Sequence, residues 1–131
     1  MSAARSTPDA LDPSYTLVCR LDQIDVEGGV AALVHGEAVA VLRTHDDEVF
    51  ALGNYDPFSR ASVLARGIVG TRGDTPFVAS PMHKQAFDLR TGQCLDDAAV
   101  RVPTYDVLVT DSPAAGDPGR LVLIGPRREM P

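Results

Sequence analysis

The chain has 131 residues, 44% of them hydrophobic, with a mean hydropathy of −0.02, enough for one domain with a modest core and inconsistent with a disordered chain. A net charge of −6 and a pI near 4.8 argue against a basic nucleic-acid-binding protein and against docking on an anionic membrane. No apolar run approaches the length of a spanning helix, and residues 1–14, built of Ser, Ala, Pro and Asp, lack the apolar core of a signal peptide. The expectation is a cytoplasmic protein with a flexible tail over 1–14, a folded domain over 15–125 and a second tail over 126–131.

In chain order, Tyr15 to Cys19 reads as a strand, followed by a short helical turn near Leu21 to Asp25. Val30–Val34, Val39–Arg43 and Val49–Leu52 are three strands joined by the turns His35-Gly36-Glu37 and Asp46-Asp47-Glu48, close enough to form a meander. Phe77–Ala79 and Ala86–Leu89 come next, with turns at Arg90–Gln93 and Asp96–Ala99. Val107–Thr110 and Leu121–Ile124 form a closing hairpin, joined by a Pro-, Gly- and Ala-rich loop. No segment carries a long 3.6-residue apolar period, so the fold class is all-β, a sandwich or partly open barrel.

Two stretches stand out: Asn54-Tyr55-Asp56-Pro57-Phe58-Ser59 and Ala79-Ser80-Pro81-Met82-His83-Lys84-Gln85-Ala86-Phe87-Asp88. They resemble the two cluster-binding loops of a Rieske protein, which usually read C-P-H and C-P-x-H-G-x-x-F-D. Two thiolates and two imidazoles hold such a cluster. Here Asp56-Pro57-Phe58 and Ser80-Pro81-Met82-His83 stand at those positions, and His83 alone is a ligand type. The resemblance runs from about Tyr15 to Gly125 and implies a Rieske-like domain with two former cluster-binding loops. Together with Val63-Leu64-Ala65-Arg66-Gly67-Ile68-Val69-Gly70 and with Lys84-Gln85 in place of a Gly, the loops resemble one branch in particular, the small subunit of assimilatory NAD(P)H-dependent nitrite reductase. That resemblance implies a subunit without a cofactor of its own. It assists a large subunit that holds siroheme, a [4Fe–4S] cluster and FAD, takes electrons from NAD(P)H and reduces nitrite to ammonium.

The residues themselves leave several readings open. Phe58 cannot donate to iron, and Asp56 and Ser80 offer hard oxygens where a Rieske centre uses sulfur. Asp56, Ser80 and His83 either hold a mononuclear metal or hydrogen-bond across the two loops in place of the cluster's cross-link. Phe58, Pro81 and Met82 are candidates for an apolar docking knob rimmed by Arg60, Lys84 and Gln85, and Phe58 alternatively plugs the space of the lost cluster. Cys19 and Cys94 read as buried free thiols. His35 and His45 read as turn residues, and Asp22, Asp25, Glu27, Asp96 and Asp97 as solvated carboxylates. No nucleophile elbow surrounds Ser59 or Ser80, and no Gly-rich phosphate loop is present. A non-catalytic nitrite reductase subunit therefore stands beside three alternatives. These are a stand-alone binding or regulatory module, a [2Fe–2S] electron-transfer ferredoxin and a small mononuclear-metal enzyme.

Overall fold

The computed structural model describes residues 12–128. The first eleven residues of the expected N-terminal tail, and 129–131 of the C-terminal one, lie outside that range. Eleven strands follow: β1 (Thr16–Arg20), β2 (Gly28–Val34), β3 (Glu37–Arg43), β4 (Val49–Gly53), β5 (Tyr55–Asp56), β6 (Ala61–Ser62), β7 (Ile68–Arg72), β8 (Thr75–Ala79), β9 (Ala86–Asp88), β10 (Thr104–Asp111) and β11 (Arg120–Arg127). Two single 3₁₀ turns, Leu21–Gln23 and Leu64–Arg66, are the other regular elements.

The meander β2–β3–β4 and the hairpin β10–β11 join in one antiparallel six-stranded sheet, in the order β1-β11-β10-β4-β3-β2. Val34 pairs with Glu37 around the two-residue turn His35-Gly36, both at positive φ, as tight hairpins require. β7, β8 and β9 form a separate three-stranded sheet, and β5 and β6 a small ribbon.

The two sheets explain why β3 reads as a continuous apolar run rather than an alternating one. Val39 and Val41 pack with Tyr105, Val122 and Ile124 in one cluster. Ala40 and Leu42 point the other way, into a second cluster with Leu64, Val78, Phe87 and Leu89. All four β3 residues are fully buried because both faces of this strand are covered. The second cluster ties the three-stranded sheet, and with it the loops at its end, to the larger one.

Several boundaries differ from the sequence reading. The turn after β1 is only three residues long, because a lone apolar pair, Leu21 and Ile24, anchors it. β7 replaces what the sequence showed only as a motif. Its Gly70 lies against Phe77 of β8 and leaves no alternating apolar pattern to read. β11 continues to Arg127, two residues past the expected end of the domain, where Arg127 faces Tyr105 of β10. At the other end Asp12 caps a turn by accepting from the Ser14 backbone and hydroxyl at 2.9 and 2.8 Å.

Candidate functional site

The first loop begins at Asn54, a buried side chain with a structural task. Its Oδ1 accepts from the Ala65 N–H at 2.8 Å, its carbonyl accepts from Leu64, and its own N–H donates to Ala38 of β3. β4 is thereby stapled to the 3₁₀ turn Leu64–Arg66, and the chain between them projects as the β5–β6 ribbon. The loop 57–60 closes when the Arg60 N–H donates to the Asp56 carbonyl at 2.8 Å, with Arg60 in the left-handed region at φ +58°.

The second loop is built the same way. Ser80 donates its N–H to the Gln85 carbonyl and accepts from the Lys84 N–H, both at 2.9 Å, with Lys84 at φ +66°. Each loop is thus a tight turn whose first residue, Asp56 or Ser80, is buried and whose next residue is Pro.

Those two buried residues meet. The Ser80 hydroxyl donates to Asp56 Oδ2 at 2.5 Å, and the Ser59 hydroxyl donates to the same oxygen at 2.8 Å. Oδ1 accepts from the Phe58 N–H at 2.9 Å, and Ser80 Oγ in turn accepts from the Met82 N–H at 3.2 Å. Asp56 has 0% exposure. Burial pushes its carboxyl up, but donation by Ser80, Ser59 and the Phe58 N–H outweighs this and holds it below the usual carboxylate range. Asp56 is therefore a structural anion whose charge is satisfied inside the protein.

His83 does not join this network. It is exposed at the tip of the second loop, and no hydrogen bond links it to Asp56 or Ser80. The expected three-residue bridge is a bridge of Asp56 with two serines. The Asp-x-x-Ser spacing of residues 56 and 59 was the signal for the second of them. Phe58 is not an exposed knob either. Its half-buried ring packs against the core cluster, 6.2 Å from the Phe87 ring at an interplanar angle of 48°. Gln85 is no rim residue: it is half-buried, and its Oε1 is enclosed without a hydrogen-bond partner. Pro81, Met82, Arg60 and Lys84 are exposed as expected. Two apolar residues missed from the sequence, Tyr55 and Ile68, join them on the surface. Ile68 lies on β7, an edge strand of its sheet.

The remaining candidates lie elsewhere. Cys94 is buried, as expected, whereas Cys19 is only half-buried on edge strand β1, and both are free thiols. Burial and the nearby Asp22 push the Cys19 thiol up, away from a reactive thiolate. His35 and His45 are exposed turn residues. Asp22, Asp25, Glu27 and Asp97 are on the surface, but Asp96 is engaged. It accepts from the Ala86 N–H at 2.8 Å and from Arg72 at 3.5 Å. A groove beside the first loop is lined by Tyr55, Pro57, Pro103 and Tyr105. Its carboxylate, Glu37, accepts from the Tyr105 hydroxyl and from Arg127, and both donors hold it below the ordinary range.

What the loops can bind follows from this donor set. Among the described residues, no three His, Cys, Asp or Glu side chains are grouped to hold a metal ion. The Asp56 and Ser80 oxygens are directed at each other, Phe58 fills space against Phe87, and His83 faces outward. These residues do not fit a [2Fe–2S] centre, which needs sulfur and nitrogen donors converging from both loops.

A six-stranded sheet, a three-stranded sheet and two apposed Pro-containing loops define a Rieske-type domain in which an Asp–Ser bridge occupies the loop junction. The model of the Rieske-like [2Fe-2S] domain matches residues 14–114. The chain belongs to that family and, within it, to the nitrite reductase small subunits. The nitrite reductase (NADH) small subunit of Salmonella typhimurium is 45% identical over 95 residues, covering 72% of this chain and 88% of that one. The solution structure of the nitrite reductase [NAD(P)H] small subunit from Erwinia carotovora is 42% identical, with a TM-score of 0.69 over 89% of this chain and 85% of the other. A segment of the Klebsiella oxytoca nitrite reductase [NAD(P)H] large subunit is 36% identical over 107 residues, which are 82% of this chain and 11% of that one. The ferredoxin of carbazole 1,9a-dioxygenase from Nocardioides aromaticivorans shares the fold at 28% identity and a TM-score of 0.67, covering 86% of this chain and 98% of the other.

Proposed function

We propose that this chain is the non-catalytic small subunit of a cytoplasmic NAD(P)H-dependent nitrite reductase, working on a large subunit that carries siroheme, a [4Fe–4S] cluster and FAD. The observation that carries the reading is the homologous segment inside the Klebsiella oxytoca large subunit. One polypeptide there unites this domain with a nitrite reductase large chain, so a separate copy of the domain has a natural place beside such a chain. Its share of the work is structural. Reduction of nitrite to ammonium moves six electrons and needs redox cofactors, and the residues of the two loops do not fit one. The same mismatch weighs against the ferredoxin reading despite the shared fold.

Affinity purification of the tagged chain from nitrite-grown cells tests this. The expected eluate contains a second, larger polypeptide, shows a siroheme spectrum and oxidises NAD(P)H only when nitrite is added. A colourless single chain overturns the assignment and favours a stand-alone binding module.

A further inference from the structure

The charges of this chain are segregated. The net charge is −6, yet residues 54–87, which hold both loops, carry Arg60, Arg66, Arg72 and Lys84 against two acids, Asp56 and Asp74. Asp74 sits in the β7–β8 turn, at the far end of that hairpin from Ile68 and Ala79. The Arg72 backbone is at that far end too, while its side chain stacks over Phe77 and pairs with Asp96, a carboxylate that holds the Ala86 N–H just after the second loop. At the loop end Arg60, Arg66 and Lys84 are exposed, and among the described residues none of them forms an ion pair. Elsewhere Arg20, Arg43, Arg72, Arg127 and Arg128 each face a carboxylate within 4 Å, whereas Arg90 and Arg120 do not among the described residues. The one carboxylate between the loops, Asp56, is buried beneath them and satisfied by its own hydroxyl and N–H donors.

Apolar surface collects at the same place. Six large hydrophobic side chains are exposed among the described residues, and three of them, Tyr55, Ile68 and Met82 at 51, 66 and 58%, border the loops. Ile68 pairs with Ala79, the residue before Ser80, and Tyr55 directly precedes Asp56. The other three, Leu17, Val26 and Leu33, lie on or beside the edge strands β1 and β2, and Val26 is flanked by Asp25 and Glu27. An apolar centre rimmed by cations that have no carboxylate of their own is a surface whose missing partner is negative.

We propose that the loop face formed by Tyr55, Ile68 and Met82, with Arg60, Arg66 and Lys84 around them, docks on an acidic patch of the nitrite reductase large subunit. This rests on the reading of the chain as that enzyme's small subunit. The rest of the chain is net acidic, so the charge asymmetry orients the encounter as well as holding the complex.

The test is the affinity of the purified, full-length chain for the large subunit, measured at 50 and 300 mM NaCl. The variants are the double charge reversal Arg60→Glu/Lys84→Glu and, as a control, Arg120→Glu in β11. Glu has the same unbranched geometry as Arg and Lys at the left-handed positions, and unchanged melting curves verify that the variants fold. The expected result is a loss of at least tenfold for the double variant at low salt and less than twofold for Arg120→Glu. Wild-type binding weakens at high salt, and the double variant loses that salt dependence. Tight wild-type binding with an unaffected double variant, or an equal loss from Arg120→Glu, overturns the docking face and leaves the subunit assignment standing. Failure of the wild-type chain to bind at all overturns the assignment, and this inference with it.

Discussion

The Ser80 hydroxyl donates to the Asp56 carboxylate at 2.5 Å, joining two loops whose first residues are 24 positions apart. In the Rieske pattern that the sequence resembles, a cluster bridges these loops. Here a buried charge-assisted hydrogen bond does so, reinforced by Ser59 on the same oxygen.

Removing the acceptor strands several donors at once. Asp56→Ala leaves the Ser59 and Ser80 hydroxyls and the Phe58 N–H without their shared acceptor, and is expected to cost about 2–4 kcal/mol. Ser80→Ala removes one donor and is expected to cost about 1–2 kcal/mol. Urea unfolding of both singles and the double gives their coupling, expected at about 1–2 kcal/mol. A coupling of zero shows that the bridge does not hold the loops.

The same carboxylate makes stability pH-dependent. Its folded pKa lies below the unfolded value of about 3.9, so its contribution is complete above that value and is lost as pH falls through the folded pKa. The stability gap between wild type and Asp56→Asn is expected to be constant from about pH 7 to 5 and to narrow below about pH 4. Urea midpoints across that range check it. A gap that persists unchanged down to the acid transition contradicts the depressed pKa.

Phe58 packs against Phe87 rather than standing free. Phe58→Ala is expected to destabilise the isolated chain by about 2 kcal/mol, less than a fully buried Phe because the ring is half-exposed. Phe87→Ala, at a fully buried position, is expected to cost about 3–5 kcal/mol. Chemical denaturation of the free subunit measures both. If Phe58→Ala has no effect there, the ring serves only a partner.

Two glycines at the same backbone angle separate strain from space. Gly36 has φ +81° and open room around a Cβ, so Gly36→Ala is expected to cost about 1 kcal/mol. Gly92 has φ +79°, and a Cβ there would lie 2.0 Å from the Val102 carbonyl oxygen, which must move. Gly92→Ala is expected to cost more than about 3 kcal/mol. Comparable melting temperatures for the two variants contradict this placement of Val102 behind the turn.

Much of the strand pattern was legible because it is local chemistry. His35-Gly36 sets the β2–β3 hairpin through positive φ, and the aliphatic runs of β3, β10 and β11 are strand-forming wherever they sit. β7 was not legible. Its Gly70 accommodates Phe77 on a neighbouring strand, a need that exists only once the two strands are paired.

The loops divide the same way. Residue types alone decided that Asp56, Phe58, Ser80 and His83 cannot supply two sulfurs and two nitrogens, since no folding turns a phenyl ring or a hydroxyl into a thiolate. Only the tertiary structure decided where those side chains go. The Ser80 backbone closes its own loop through Gln85 and Lys84, which brings its hydroxyl to Asp56 and leaves His83 outside. It also decided which charges stay free, because whether Arg60 or Arg72 finds a carboxylate depends on distances across strands, which the order of residues along the chain does not contain.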